Sequence, residues 1–225
     1  VQVIFRSIVL AAAIASLFPL SRTEAAEQQH ANPAHRTFDD PAAYAKSWES
    51  PERDAWQRPA ELIAALGVRS GMNVADIGTG TGYLLPHLSR AAGPGGKVFA
   101  IDISQAMLKW VRDRAAAAGL DNVTAVQANS GATTLPAQSI DRAIMINVWH
   151  HIENKDAYAR DLHSAIREGG VLFIVEARPE AGQDGPPRHF RLEPEVVISH
   201  LARAGFNATL DPFKIDRQYV IRAQR

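Results

Sequence analysis

Short apolar runs recur along the chain at residues 74–77, 98–101, 123–126, 141–148 and 171–175. Runs of this length, bounded by glycine or polar clusters, read as buried parallel strands. Between them the apolar positions change to a helical repeat. One such repeat covers residues 83–92, and a second carries Met107, Leu108 and Val111 between a Ser104 cap and Gly119. A third covers 155–167 and is closed by Gly169-Gly170, and a fourth covers 194–204 before Gly205. Upstream, Asp40-Pro41 is a helix start, with Tyr44 and Trp48 on the repeat and Pro51 ending or interrupting it. Pro59 opens a second helix whose Leu62, Ile63 and Leu66 form a stripe before Gly67. Residues 131–139 and 178–188 read as loops. The last two strands, near 208–210 and 218–222, have no long helix between them, which predicts an antiparallel edge hairpin. Alternating strands and helices predict a doubly wound, mostly parallel seven-stranded α/β sheet with helices on both faces.

The chain has 225 residues, 46% of them hydrophobic, enough for one α/β domain with extras. Its 24 basic and 24 acidic residues cancel and are scattered, which disfavours nucleic acid as a partner. Residues 1–26 read as a signal peptide: Arg6 is the positive start, 7–20 is uncharged, and Ala25-Ala26 offers a cleavage site. The expected location is then the bacterial periplasm, with a retained membrane anchor or a cytoplasmic protein as alternatives. With no cysteine there is no disulfide and no thiolate metal site. The expected organisation is a signal peptide (1–26), an N-terminal helical cap (27–58) and one ligand-binding domain (59–225). Oligomeric state is not legible.

The candidate chemistry gathers in residues 73–83, NVADIGTGTGY. Gly78, Gly80 and Gly82 follow a strand that carries Asp76, and a helix follows them. Glycine admits positive φ and lets a ligand approach the main chain. A dinucleotide fingerprint wants G-x-G-x-x-G, and an acid at the end of the strand would repel a pyrophosphate. A carboxylate there suits a ligand with an amino group. Asp102 closes the second strand 20 residues beyond Gly82, where a Rossmann-like unit places the acid for ribose hydroxyls.

In these motifs the sequence resembles the class I S-adenosylmethionine-dependent methyltransferases, from about Pro59 to Arg222, and with its N-terminal segment exported bacterial members of unassigned substrate. The resemblance implies S-adenosylmethionine as cofactor. It implies that Gly78, Thr79, Gly80 and Gly82 pack on the methionine part and that Asp76 meets its ammonium group. It also implies that Asp102 binds the ribose, Ile103 lies on the adenine face, and Asn129, with Ser130 beside it, meets the adenine amino group. Asn129 replaces the family's usual Asp, a weaker acceptor. Asn147 stands nearest the methyl group. Tyr44, Trp56 and Gln57 are expected to form a lid over the methionine end, with Arg53 near its carboxylate; the alternative is that these rings only pack the first helices.

Methyl transfer needs an aligned, unprotonated acceptor. His150 and His151 are candidate bases, although adjacent residues point in different directions, and both could instead support the turn after the strand. No metal-ligand spacing is present. The expected acceptor is a small molecule. A protein methyltransferase and a non-catalytic S-adenosylmethionine binder are the alternatives, and the glycine spacing argues against a nicotinamide enzyme.

Overall fold

The computed structural model describes residues 38–225, apart from 181, 183 and 184. The signal-peptide reading lies outside the described residues. Three short helices come first: α1 (Pro41–Trp48), α2 (Pro51–Gln57) and α3 (Pro59–Leu66). Each opens on a proline, whose missing N–H and fixed φ suit a first helical turn. The Asp40 side chain caps α1 by accepting from the Ala43 amide, and Gly67 ends α3 in the left-handed region. Pro51 therefore starts a helix of its own, so the segment before the sheet has three helices where the sequence pattern indicated two.

The strands are β1 (Asn73–Ile77), β2 (Lys97–Asp102), β3 (Val123–Gln127), β4 (Ile140–Ile146), β5 (Ile166–Ala177), β6 (Asn207–Leu210) and β7 (Gln218–Gln224). The helices between them are α4 (Leu85–Ala92), α5 (Gln105–Ala117), α6 (Lys155–Ala165) and α7 (Pro194–Arg203). They build one seven-stranded sheet in the order β3-β2-β1-β4-β5-β7-β6. All pairs are parallel except β5–β7 and β6–β7, so the antiparallel strand is the penultimate one. One boundary differs from the pattern. α6 stops at Ala165, and β5 already begins at Ile166, opposite Ile140. The pairing then skips to Arg142–Val171. Gly169 and Gly170 thus lie in an irregular start of the strand rather than ending the helix, as glycine in a strand often does.

Side chains alternate across the pleat. From β4 and β5, Ala143, Met145, Leu172 and Ile174 enter one core with Tyr158 and Leu162 of α6 and Val197 and Leu201 of α7. Ile144, Phe173 and Val175 enter the other, with α3, Leu85 and Leu88 of α4, and Val111 of α5. With both faces covered, ligands reach the sheet at the carboxyl ends of its strands. The chain order reverses between β1 and β4, and that is where an open α/β sheet leaves a crevice.

Candidate cofactor and active site

β1 runs into a turn that only glycine can make. Gly78, Gly80 and Gly82 all have positive φ. A Cβ on Gly78 would also stand 2.3 Å from Val148 Cγ2, so the position needs glycine for space as well. The Gly78 and Thr79 amides both donate to the Ile101 carbonyl, at 2.8 and 2.9 Å, which pins the turn to β2.

Two carboxylates bracket this turn. Asp76 is buried, and its Oδ2 accepts from Thr79 Oγ1 at 2.8 Å. Burial pushes its carboxyl up to about 6, against the Thr79 hydrogen bond; the Asp102 charge adds to the rise, and Arg53 opposes it. Asp102 accepts from the Gly80 amide through Oδ2 and from the Ser104 amide through Oδ1, both at 2.9 Å. Burial raises its carboxyl too, against the hydrogen bonds from Ser104, Gly80 and Ile103. Ile103, beside it, is 55% exposed and offers an apolar face. Asn129 and Ser130 are exposed beyond β3, and Asn129 Oδ1 accepts from the Gly131 amide at 3.0 Å.

Asn147 follows β4 with φ +55°, and its amide donates to the Val175 carbonyl at 2.8 Å. From its side chain a polar relay crosses the protein. Gln218 Nε2 donates to Asn147 Oδ1 (3.0 Å), Gln57 Nε2 to Gln218 Oε1 (2.5 Å), and Arg53 Nε to Gln57 Oε1 (2.7 Å). Arg53 Nη1 then donates to the Trp48 carbonyl at 2.6 Å. Gln57 is thus tied to Asn147 through Gln218. Arg53 also lies 3.8 Å over the Tyr83 ring, whose hydroxyl donates to Asp54.

The aromatic residues are distributed differently from the lid expected of Tyr44, Trp56 and Gln57. Trp56 packs against the α3–α4 core, with the Arg217 guanidinium 5.1 Å over its ring. Trp48 is the indole on the glycine turn, its Cζ3 lying 3.0 Å from where a Gly80 Cβ would be. Tyr44 stacks on Trp48 at 4.5 Å, and Phe38 contacts both rings. Ser104 Oγ donates to the Phe38 carbonyl at 3.2 Å, and Arg114 joins Glu49 to the Thr81 carbonyl. The N-terminal helices therefore rest on the mouth of the crevice through Trp48 and Phe38.

His150 and His151 occupy a 3-10 turn after β4, with ring centroids only 4.1 Å apart, so adjacency has not sent them in opposite directions. His150 Nδ1 lies 2.7 Å from Glu176 Oε2, and the His150 amide donates to Glu176 Oε1 at 3.3 Å. Glu176, Gln218 and Trp48 were not singled out as site residues by the sequence pattern. Glu176 carries the same signal as Asp76 and Asp102, an acid closing an apolar strand. Gln218 and Trp48 carry no local signal, because their contacts are with distant residues. Among the described residues no cluster of three or more histidines or acids could hold a metal ion.

The donor set fits S-adenosylmethionine. Asp76 is a buried carboxylate with a single hydroxyl partner, suited to an ammonium group. Asp102 is fixed by two amides and keeps lone pairs for a diol, and Ile103 offers an apolar surface to a base. This sheet order, with a glycine turn between two strand-end acids, defines a class I S-adenosylmethionine-dependent methyltransferase fold. The chain belongs to that class, and its residues 74–170 match the family described as methyltransferase domain. The chain is 38% identical over 122 residues to the ubiquinone/menaquinone biosynthesis C-methyltransferase UbiE of Hahella chejuensis, covering 54% of this chain and 48% of that one. It thus spans about half the length of the curated relatives it matches. A S-adenosylmethionine-dependent methyltransferase structure from Aquifex aeolicus superposes with a TM-score of 0.76 at 26% identity, over 82% of this chain and 97% of that one. The cyclase SpnF shares the fold, with a TM-score of 0.58 at 24% identity over 68% of this chain and 59% of that one.

Proposed function

We propose that the protein transfers a methyl group from S-adenosylmethionine to a small aromatic acceptor of the hydroquinone type. The observation that carries the methyltransferase reading is the pair of carboxylates about the glycine turn, Asp76 held by Thr79 and Asp102 held by Gly80 and Ser104. The acceptor class draws support from the UbiE relatives, which are ubiquinone/menaquinone biosynthesis C-methyltransferases. When bound, the cofactor supplies an activated methyl group on sulfonium, so the protein need not protonate a leaving group. Asp76 holds its ammonium, Asp102 its ribose hydroxyls, and Asn147 the region where the acceptor meets the methyl. Calorimetry against S-adenosylmethionine, S-adenosylhomocysteine and NAD tests the first half. Radiolabelled methyl transfer to 1,4-naphthalenediol, compared with an aliphatic amine and with protein lysates, tests the second. Binding of NAD alone would overturn the reading, and labelling only of the lysate would move the acceptor to protein.

The same reading takes residues 1–26 as a signal peptide, 27–58 as a cap and 59–225 as the methyltransferase domain, with the product in the periplasm. Mass spectrometry of the protein from its native host checks this. Cleavage near Ala25 or Ala26 is the expected result, and an intact N-terminus on a soluble cytoplasmic protein would refute it.

A further inference from the structure

The His150–Glu176 pair is not among the residues assigned to the cofactor, and it is a deeply buried titratable pair beside the end of β4. The His150 side chain is 3% exposed and that of Glu176 2%. Glu176 is the penultimate residue of β5, and His150 is three residues beyond Asn147 at the end of the neighbouring β4. Tyr219, opposite Glu176 on β7, is the neighbour of Gln218, whose amide holds Asn147. The pair and Asn147, the residue expected nearest the transferred methyl, thus belong to one patch at the carboxyl ends of β4 and β5. Packing holds the imidazole on two more sides, with the His151 ring at 4.1 Å and the Phe190 ring at 6.3 Å.

We infer that His150 is the base that takes the acceptor's hydroxyl proton, and that Glu176 is the positioning residue that fixes its tautomer. The inference rests on the methyltransferase reading and gives the hydroxyl of its acceptor a role in the reaction. A carboxylate can only accept, so Nδ1 carries a proton in this contact, and in the neutral imidazole the lone pair is then on Nε2. Both Glu176 oxygens are engaged by one residue, one by its ring and one by its amide, so the ring has a single orientation. A purely structural pair would serve as well with two neutral partners, and burying an acid beside a histidine is a costly way to brace a turn. The proton balance is simple. The acceptor O–H proton passes to Nε2, and the electron pair left on the acceptor forms the new bond to the methyl carbon. The carbon–sulfur pair returns to sulfur, giving S-adenosylhomocysteine. If the attack comes from a ring carbon, that carbon's proton is then released to solvent and His150 returns its proton to the acceptor oxygen. The charged and titratable groups about the pair include His151 beside it, Lys155 of α6, and Tyr219 of β7.

The test uses the full protein saturated with S-adenosylhomocysteine and 4-nitrophenol as a chromophoric hydroxyl probe. At a pH where the free phenol is mostly neutral, wild type should bind it as the yellow phenolate. His150→Gln should bind it neutral, and Glu176→Gln should lower the phenolate fraction at least threefold, while S-adenosylhomocysteine affinity stays within threefold in both. Retained affinity also shows that the variants fold; if one does not, the other decides. A phenol that wild type does not bind, or binds neutral, overturns the base assignment, as does an undiminished phenolate signal in the folded variants. Failure of wild type to bind S-adenosylhomocysteine is a separate result, and it removes the methyltransferase reading itself.

Discussion

Asp76 shows at the scale of one residue how a ligand site opposes stability. Its folded-state value, about 6, stands above that of a solvated carboxyl, near 4. The native state therefore holds the proton more tightly than the unfolded chain, and stability falls as pH rises through that window. Above it the buried charge exerts its full cost. Asp76→Asn should raise the unfolding free energy at pH 7.5 by on the order of 1–3 kcal/mol and leave it nearly unchanged at pH 3.5. Urea titrations at the two pH values check this, and a destabilised variant at pH 7.5 would contradict it. The same change should weaken S-adenosylhomocysteine binding, because the ammonium group loses its charged partner. In wild type, affinity should fall about tenfold per pH unit below about 6, since Asp76 must first lose its proton. Asp102→Asn should cost about 1.5–3 kcal/mol in ligand affinity, read by calorimetry, because hydrogen bonds to a charged group are the stronger ones.

At the scale of elements, the β1–turn–α4 unit is specified by local rules, and for that reason it was readable. Gly78 has φ +69° and faces Val148, so Gly78→Ala adds backbone strain to overpacking and should cost about 2–4 kcal/mol in thermal or urea unfolding. An alanine variant as stable as wild type would show that the turn relaxes. The mostly parallel seven-stranded sheet with its edge hairpin, the strand-end acids and most helix ends were legible because period, caps and glycines are encoded within a few residues. The β5 start was not. Gly169-Gly170 is a valid helix stop by sequence, and only pairing with β4 pulls Ile166 into the strand. The choice of tryptophan was not legible either. Trp48 and Trp56 lie eight residues apart on different helices, and which one faces the glycine turn depends on how α1 and α2 dock. If Trp48 lies beside the ligand, its emission should change when S-adenosylhomocysteine binds to a protein in which Trp56, Trp110 and Trp149 are replaced by Phe. Unchanged emission would place the ring away from the ligand.

At the scale of the whole molecule, the relay Arg53–Gln57–Gln218–Asn147 joins helix α2 to the penultimate sheet strand and to the end of β4, the two glutamines being 161 positions apart in sequence. Both glutamines are buried, so each needs its partner. Gln218→Leu leaves the Gln57 amide and the Asn147 carbonyl unpaired and should cost about 1–3 kcal/mol. Adding Gln57→Leu should cost less than the sum of the two single changes, by about 0.5–2 kcal/mol, because partners that touch do not add independently. The relay also makes the N-terminal helices report on the site. Arg53 holds the Trp48 carbonyl at one end, and Asn147 stands beside the expected methyl position at the other. A ligand that orders Asn147 and the glycine turn therefore orders α1 and α2 as well. Hydrogen exchange at amides 41–57 should slow at least tenfold when S-adenosylhomocysteine is added, and this slowing should be lost in Gln218→Leu even at saturating ligand. Protection confined to β1 and the glycine turn, with 41–57 exchanging as before, would show that the relay holds the fold together without coupling these helices to the ligand.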